Sequence, residues 1–491
     1  MPDGEIINCF IGQCGTQMSF ACWELFCLEH GVRPDGSMIE TEYSLNDQQT
    51  PQPVSSFFKE TDEHRFVPRT VIMDTEPSVV DEIRSGVYRG LFNSASLITG
   101  LEDAASNFAR GFYACATKIV PDTMNYLRKE VEKADNLQAI FIYHSFGGGT
   151  GSGTTCKLME GIDFEYTKCP KIELTVYPGQ EMCSSVVEPY NAVLCSSTAD
   201  ETADVTVLVD NQALVRMCTE LLKMERPVFS NINRILAQVT SGMTAPVRYE
   251  GPLTASLGQL QTNLVPFPRL HYLQAAMAPI VAAENLAHET IGMQDLTTAI
   301  FSPSTQLLSG DPSKTHVLAC ALLCRGDIAV HEIRNAVAKL KNRGLVHLVP
   351  WCPTGFKIGL CLQPPTIIPQ SGLGQVNRSV VGLYNSTLIV TPIRAVAHKV
   401  TQLSRKRAFV HWYLQEGMEE GELVEAQEGI KMLLADFQHL DQHGLPLKQD
   451  DIQGDYVPED AFDSQRNPSV DADIDALASE SVNQANIREF F

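Results

Sequence analysis

Basic residues are scarce in this chain. Only 37 Lys and Arg stand against 59 Asp and Glu, a formal net charge of −22. A phosphate backbone is held by Lys and Arg, so no nucleic-acid partner is expected, and the acidic field suits solubility and basic partners. Long apolar runs are missing too: nothing approaches the roughly 18 residues of a membrane span, so no membrane partner is expected. The opening MPDGEIINCFIGQCG lacks the basic end and extended apolar stretch of a secretory signal. The 14 cysteines contain no Cys-x-x-Cys pair, which counts against zinc and against a disulfide framework. Cys22, Cys27, Cys156, Cys320 and Cys324 sit inside apolar segments and read as reduced, buried thiols of a cytoplasmic chain.

What is present is ordinary globular material: 44% hydrophobic and 20% charged residues over 491 positions, enough for two to four domains. The first third alternates short apolar runs with amphipathic stretches, the pattern of a Rossmann-like α/β fold with a parallel sheet wrapped by helices. Strands are expected at 6–11, 70–73, 138–143, 173–177 and 205–209. A turn is expected at 12–15. It is followed by a helix with Met18, Ala21, Cys22, Leu25 and Leu28 on one face and Gly31 as its stop. The polar, proline-containing stretch 37–65 reads as a long mobile loop.

Beyond residue 211 the texture changes. Helical stretches at 212–224 and 231–239, then strand-like runs at 317–324 and 357–363, suggest a second, mixed α/β domain. Helical segments at 401–412 and 420–437 close the folded part as a hairpin. Residues 439–491 carry twelve acids and three bases with few aromatics, the composition of a disordered tail. The expected division is a nucleotide-binding domain at 1–210, an intermediate domain at 211–386, a helical surface region at 387–438 and an acidic tail at 439–491.

The densest signal is the run Gly147-Gly148-Gly149-Thr150-Gly151-Ser152-Gly153, between an apolar strand and a helix starting near Thr154. Without Cβ atoms, successive amides can turn toward one point, and the helix start adds unpaired N–H groups and a positive dipole end. That makes a phosphate seat, with Ser145 and Thr150 offering hydroxyls. No Lys-Ser/Thr closes the run as in a P-loop, and no glycines show the G-x-G-x-x-G spacing of a dinucleotide oxidoreductase. A flexible linker is the bland alternative, disfavoured by the flanking strand and helix.

Ligands of parallel sheets bind beyond the carboxyl ends of the strands. The strand ends here offer Gln13 with Cys14, Asp74 with Glu76, Ser145, and Asp210 with Asn211. A carboxylate beside a triphosphate points to Mg2+, with Glu76 as candidate ligand. The alternative for Glu76 is an acid at the start of a helix, just before Pro77.

Taken together these segments resemble the tubulin family. The blocks are GQCGTQ (12–17), ACWELFCLEHG (21–31), MDTEPSVVDEIRSG (73–86), GGGTGSG (147–153), VVEPYNAVL (186–194), VDNQAL (209–214), TNLVPFPRLH (262–271), WCPTGFK (351–357) and KRAFVHWYLQEGMEEGE (406–422). ACWELFCLEHG, FVHWYLQEGMEEGE and the loop PPTIIPQSGLGQV (364–376) resemble alpha chains, whereas GQCG is more beta-like. The resemblance implies a microtubule subunit that binds GTP with Mg2+ without exchanging it, pairs head to tail with beta-tubulin, and meets motors and associated proteins on its C-terminal helices. It implies nucleotide contacts from Gln13, Glu76 through magnesium, Ser145, Gly149, Thr150, Ser184, Asn211 and Asn233. Phe229 would stack on the base where the family usually has Tyr.

Ser106 stands where the family has an Asn beside the γ-phosphate. No lysine occupies the acetylated-loop position, where Glu40-Thr41-Glu42 stand. The chain ends in Phe490-Phe491 and lacks the terminal tyrosine. Gln259 replaces the family's glutamate, which in the polymer acts on the neighbouring subunit's GTP, so no catalytic residue is assigned. An amide orients water but accepts no proton as a general base, at a typical cost of ~10²–10⁴ in rate. A tubulin-like protein with a regulatory, centriolar or axonemal role outside the bulk lattice is the alternative. A filament enzyme hydrolysing GTP unaided would need its own carboxylate at 259.

Overall fold

The computed structural model describes residues 4–39, 54–179, 183, 185–249, 251–253, 256–286, 292–344, 346–349, 351–352 and 355–443. The first strand, β1 (Glu5–Ile11), is buried at every position and runs straight into α1 (Gly12–His30). No separate turn intervenes where one was expected, because Gly12, at φ +72°, swings the chain directly into the helix. Trp23, Met18, Cys22 and Leu25 line the buried face of α1, and Gly31 closes it in the left-handed conformation. Leu28 is 41% exposed, at the margin of the stripe. The centre of that stripe belongs instead to Glu29, a buried carboxylate.

Part of the expected loop is ordered. The hairpin β2 (Phe58–Glu60) and β3 (Phe66–Pro68) is anchored by Phe57 and Phe58, whose rings meet Trp23 edge-on at 6.2 and 5.5 Å. The remainder, 40–53, lies outside the described residues. Then follow β4 (Thr70–Asp74), α2 (Pro77–Ser85), β5 (Leu97–Thr99), α3 (Ala116–Glu132), β6 (Leu137–Ser145), α4 (Thr155–Glu165), β7 (Lys171–Tyr177), α5 (Glu188–Thr202) and β8 (Val205–Asp210). All six main strands are parallel, in the order β8-β7-β6-β1-β4-β5. The chain runs outward from β1 through β4 to β5, then returns to β6 on the other side of β1. The topological switch therefore falls between β1 and β6.

Residues alternate across the sheet with period two. Ile6 and Phe10 face a core shared with α1 and the helix Phe229–Arg248, and Ile7, Cys9 and Ile11 face a core shared with α3 and α4. Phe10 stacks on Tyr143 of β6 at 4.3 Å.

The second half begins with α6 (Asn211–Glu220), which stops short of the expected Met224. The long α7 (Phe229–Arg248) and α8 (Leu257–Leu264) follow. Next come β9 (Tyr272–Ala278), α9 (Met293–Ile300), β10 (His316–Gly326), α10 (Val330–Asn342), β11 (His347–Leu348), β12 (Phe356–Cys361) and β13 (Arg378–Ser386). β9 joins β8 in parallel, while β13 lies antiparallel between β9 and β10, so among the described residues one sheet of eleven strands continues past residue 210.

The surface layer is α11 (Val390–Arg405), α12 (Val410–Gln415) and α13 (Glu420–His443). The single helix expected at 401–412 is broken because Arg407 and Phe409 adopt φ of 49° and 62°. α13 extends helically to His443, so the first residues assigned to the tail are structured; 444–491 lie outside the described residues. No described helix is long and apolar enough to cross a membrane.

The two halves are joined by a buried ion cluster. Glu29 of α1 accepts from Arg248 of α7 at 2.6 Å, from Arg325 of β10 at 2.8 Å, and from Ser241 at 2.6 and 2.7 Å. Burial alone would raise the Glu29 carboxyl, but the two guanidiniums and Ser241 hold it down at about 2. Removing one partner of such a pair strands a buried charge, at about 3–5 kcal/mol. Glu29→Gln should therefore destabilise the protein by that order in thermal unfolding at neutral pH. Because the folded value lies below the ordinary 4.5, the wild-type advantage should be complete above that pH and shrink as pH falls toward 2.

Candidate functional site

The glycine run follows β6 at the sheet's switch point. It enters its helix through a π-helical turn, Thr150–Thr154, which continues into α4 at Thr155. Glycine is required by packing here. A Cβ on Gly151 would lie 2.8 Å from the Ser145 carbonyl oxygen, and one on Gly153 would lie 2.2 Å from that of Phe108. Gly12, across the switch point, also lies against the Gly151 amide: a Cβ there would sit 3.0 Å from that nitrogen. The first turn of α1 and the glycine run thus form one backbone surface, on which Gln13 is exposed.

Thr75, at the end of β4, meets Thr150 hydroxyl to hydroxyl at 2.6 Å. This bond sets the acidic segment 74–76 beside the loop. Glu76 is exposed and accepts from Ser78 at 2.7 Å as its residue leads into α2. Burial pushes the Asp74 carboxyl up to about 7. Amide hydrogen bonds from Thr75 and Glu76 pull against that rise, and the like charges of Glu76 and Asp103 add to it. The charges of Glu76 and Asp103 thus reach the buried Asp74, one residue before the Thr75 hydroxyl that meets the loop.

Sequence reasoning missed the residue that holds the site together. Asn191 of α5, fully buried, donates to the carbonyls of Gly147 (2.7 Å) and Ser106 (2.8 Å). Its own oxygen accepts from the Phe108 amide (3.1 Å) and the Tyr413 hydroxyl (2.6 Å). One amide side chain thus ties the glycine run to the 103–108 loop and to α12. Its signal was an Asn in the first turn of a helix directly after Glu-Pro-Tyr, which by itself reads as a capping residue. Ser106 is delivered beside the loop through this contact, exposed and at φ 53°.

The other expected residues stand further out. Asn211 begins α6 at the end of β8, where Asp210 caps the helix and accepts from Ser309 at 2.6 Å. Phe229 and Asn233 lie on the first turns of α7, Phe229 59% exposed and Asn233 buried. Among the described residues no hydrogen bond joins these three to the glycine run. Ser184 lies outside the described residues.

Gln259 is remote from this cluster. It sits exposed in the first turn of α8, its oxygen accepting from Lys357 at 3.2 Å. Two residues on, Gln261 donates to Asp204 at 2.9 Å, immediately before β8 begins. α8 therefore borders the amino ends of the parallel strands, and the glycine run their carboxyl ends.

Asn191→Ala should orphan two carbonyls, an amide and a hydroxyl in the interior. At about 1–3 kcal/mol for each unsatisfied group, a loss of at least 3 kcal/mol is expected in thermal unfolding. Asn191→Asp keeps the acceptor and should also be destabilising, since the two carbonyls then face a carboxylate.

Comparison with known proteins agrees with this architecture. The profile of the Tubulin/FtsZ family, GTPase domain, matches residues 5–219, and that of the Tubulin C-terminal domain matches 268–398. The chain is 42% identical over 449 residues to the Tubulin alpha-1 chain of Emericella nidulans, covering 91% of this chain and 99% of that one. It is 44% identical over 436 residues to the Tubulin alpha chain of Zymoseptoria tritici, covering 89% and 96%. To the Tubulin alpha-2 chain of Caenorhabditis elegans it is 42% identical over 436 residues, with the same coverage. With the glycine run at the switch point of a parallel sheet and both family profiles matched in order, the chain belongs to the tubulin family.

Proposed function

We propose that this chain is an alpha-type tubulin: a cytoskeletal subunit that holds GTP on the glycine run, pairs with beta-tubulin, and polymerises head to tail into microtubules. The observation that carries the reading is the lysine-free glycine run itself, set at the sheet's switch point with the Thr75–Thr150 hydroxyl pair beside it. Gln13, Ser145, Gly149, Thr150 and Ser106 supply the phosphate side. Asn211 and Asn233 suit the ribose and base, because an amide both donates and accepts. Phe229 offers an exposed aromatic face for stacking, and Ser184 is assigned to the same site by its place in the sequence.

In this reading a divalent cation is held at Glu76, whose carboxylate is exposed one residue from the Thr75–Thr150 pair. Burial pushes the Asp74 carboxyl up, the like charges of Glu76 and Asp103 add to the rise, and bringing a triphosphate there adds more negative charge. Bound Mg2+ would neutralise that charge. In this reading Glu76 holds the cation, and Thr75 and Thr150 orient the phosphates. The GTP is non-exchangeable because the partner subunit covers the seat. Motors and associated proteins meet α12 and α13, where Trp412 and Val424 are half exposed among acidic neighbours.

The chain should be co-expressed with beta-tubulin and nucleotide extracted from the purified heterodimer. One tightly held GTP per alpha-type chain, beyond that of the partner, is expected; empty or GDP-loaded chains would refute the reading.

Gln259 limits what the chain does to its neighbour. In the lattice it would face the next subunit's nucleotide, where its amide orients water but takes no proton. Gln259→Glu should raise phosphate release during co-assembly by up to ~10²–10⁴-fold, the typical contribution of a general base. Equal release by the wild type and the variant would show that the amide suffices.

A further inference from the structure

This acidic chain carries a basic surface helix. Residues 390–407, which form α11 and the turn after it, hold five Lys and Arg, one His and no Asp or Glu, in a chain of net charge −22. Arg394, His398 and Arg405 recur at spacings of four and seven, which puts them on one side of α11. Arg405, Lys406 and Arg407 are exposed, and Arg394, His398 and Lys399 are half-buried. The stripe from Arg394 to Arg405 is about 16 Å long. Its far end is fixed in place. The Arg407 amide donates to Ser404 at 2.9 Å, the Ala408 amide to Leu403 at 3.1 Å, and the Tyr190 hydroxyl to the Ala408 carbonyl at 3.1 Å.

The helix dipole explains part of this charge. Arg405 in the last turn stabilises α11, but Arg394 stands toward the positive end, where a cation has no such reason. Three acids of α13, the helix packed along α11, are engaged elsewhere. Asp436 pairs with Arg269 at 3.1 Å, Glu422 accepts from Tyr113 at 2.7 Å, and Asp441 accepts from His316 at 2.7 Å and from Thr387 at 3.0 Å. Glu420 pairs with Arg407, beyond the stripe.

The bond from Thr387 to Asp441 also sets the end of α13 beside the start of α11, and the described chain stops two residues later at His443. Residues 444–491 hold eleven acids and three bases. The first pair of acids, Asp450 and Asp451, lies within about 30 Å of His443 by chain length, and the whole segment spans up to about 170 Å, so its length does not limit contact with the stripe. Attachment puts these carboxylates at an effective concentration on the order of millimolar, an advantage that no separate acidic peptide shares. The net charge of the chain repels nucleic acid and anionic membranes from the same stripe.

We infer that the acidic segment beyond His443 docks on the basic stripe of α11 in its own chain and controls access to that face. An acidic peptide of another protein reaches Arg394 and Arg405 only by displacing it, and a basic partner that engages the segment uncovers them. The contact is electrostatic, so it weakens as salt shortens the Debye length from about 10 Å at 0.1 M to about 3 Å at 1 M.

Docking needs no nucleotide, so cross-linking tests it apart from the GTP reading. The full chain, co-expressed with beta-tubulin and purified, is treated at about 0.1 M salt with a carbodiimide, which joins carboxylates to lysines in contact. Linked peptides are identified by mass spectrometry. Links from acids between Asp450 and Glu489 to Lys399 or Lys406 are expected, with a yield that falls severalfold at about 1 M salt. The double variant Arg394→Gln, Arg405→Gln keeps both lysines and should lower the yield about 2- to 30-fold, the worth of two exposed ion pairs.

Acids of the segment linked instead to Lys339 or Lys341 of α10, or to the partner subunit, would overturn the inference. So would a yield unchanged in the double variant, or no links to α11 at all. In a mixture of isotope-labelled and unlabelled protein, links joining the two kinds would give the stripe to a second copy and overturn docking within one chain. If the double variant fails to fold, the salt series on the wild type decides.

Discussion

Backbone approaches backbone around Gly151 more closely than any side chain permits, and much of the first half of the protein is arranged to allow it. A seat for phosphates without lysine must present amides, and amides can converge only where Cβ atoms are absent. The absence propagates. Gly12 lets α1 begin with no connecting turn, Gly151 lets the glycine run lie against the strand that precedes it, and Gly153 lets the 103–108 region cross over the top. Such a surface has no side chains of its own to lock it. The locking comes from outside: the Thr75 hydroxyl from β4, the Asn191 amide from α5, and the His144 ring from beneath. Asn191 also reaches Tyr413, so the geometry of the seat and the footing of the surface helices are fixed by the same residue.

The Glu29 cluster does for the two halves what Asn191 does for the loops. Two arginines and a carboxylate cost several kcal/mol each to dehydrate, and an apolar trio of equal volume could bind the same two helices and strand at no greater cost. The ionic version specifies more. Arg325 is additionally held by the carbonyls of Gln363 and Pro364, and Arg248 by that of Ser241. Each guanidinium therefore fixes the direction of a backbone segment as well as its distance. A sheet of eleven strands that changes from parallel to antiparallel at β13 has many ways to pack α7 a turn out of register, and this cluster allows one of them.

Much of the fold was legible because buried parallel strands announce themselves as continuous apolar runs, and five of the six were expected within three residues at either end. The sixth, β5, is three residues long and too short to carry a pattern. Other failures share a cause. The hairpin β2–β3 is ordered by Phe57 and Phe58 against Trp23, a contact between residues more than thirty positions apart that no local composition encodes. The break between α11 and α12 comes from two non-glycine residues at positive φ, a conformation imposed by packing and invisible in propensity. The positions of the glycine run, Thr150 and Glu76 just beyond strand ends could be read because each follows an apolar run. Asn191 and His144 could not, because their roles are defined by carbonyls they meet in space, and an Asn early in a helix or a His ending a strand has several commoner meanings.

The separation of Gln259 from the seat has a consequence that one subunit cannot escape. The seat lies at the carboxyl ends of the parallel strands. α8 lies at their amino ends, as the bond from Gln261 to Asp204 just before β8 requires. Strands of this length hold the two about 20 Å apart. No motion short of unfolding the sheet brings Gln259 to the chain's own nucleotide. Whatever that position contributes to hydrolysis must be contributed to another molecule, and stacking carboxyl end on amino end is the arrangement that delivers it. In the proposed head-to-tail assembly, polarity of the parallel sheet would become polarity of the polymer. In the proposed assembly, an amide at 259, held by the Lys357 ammonium, would leave that interface without a proton acceptor at this position.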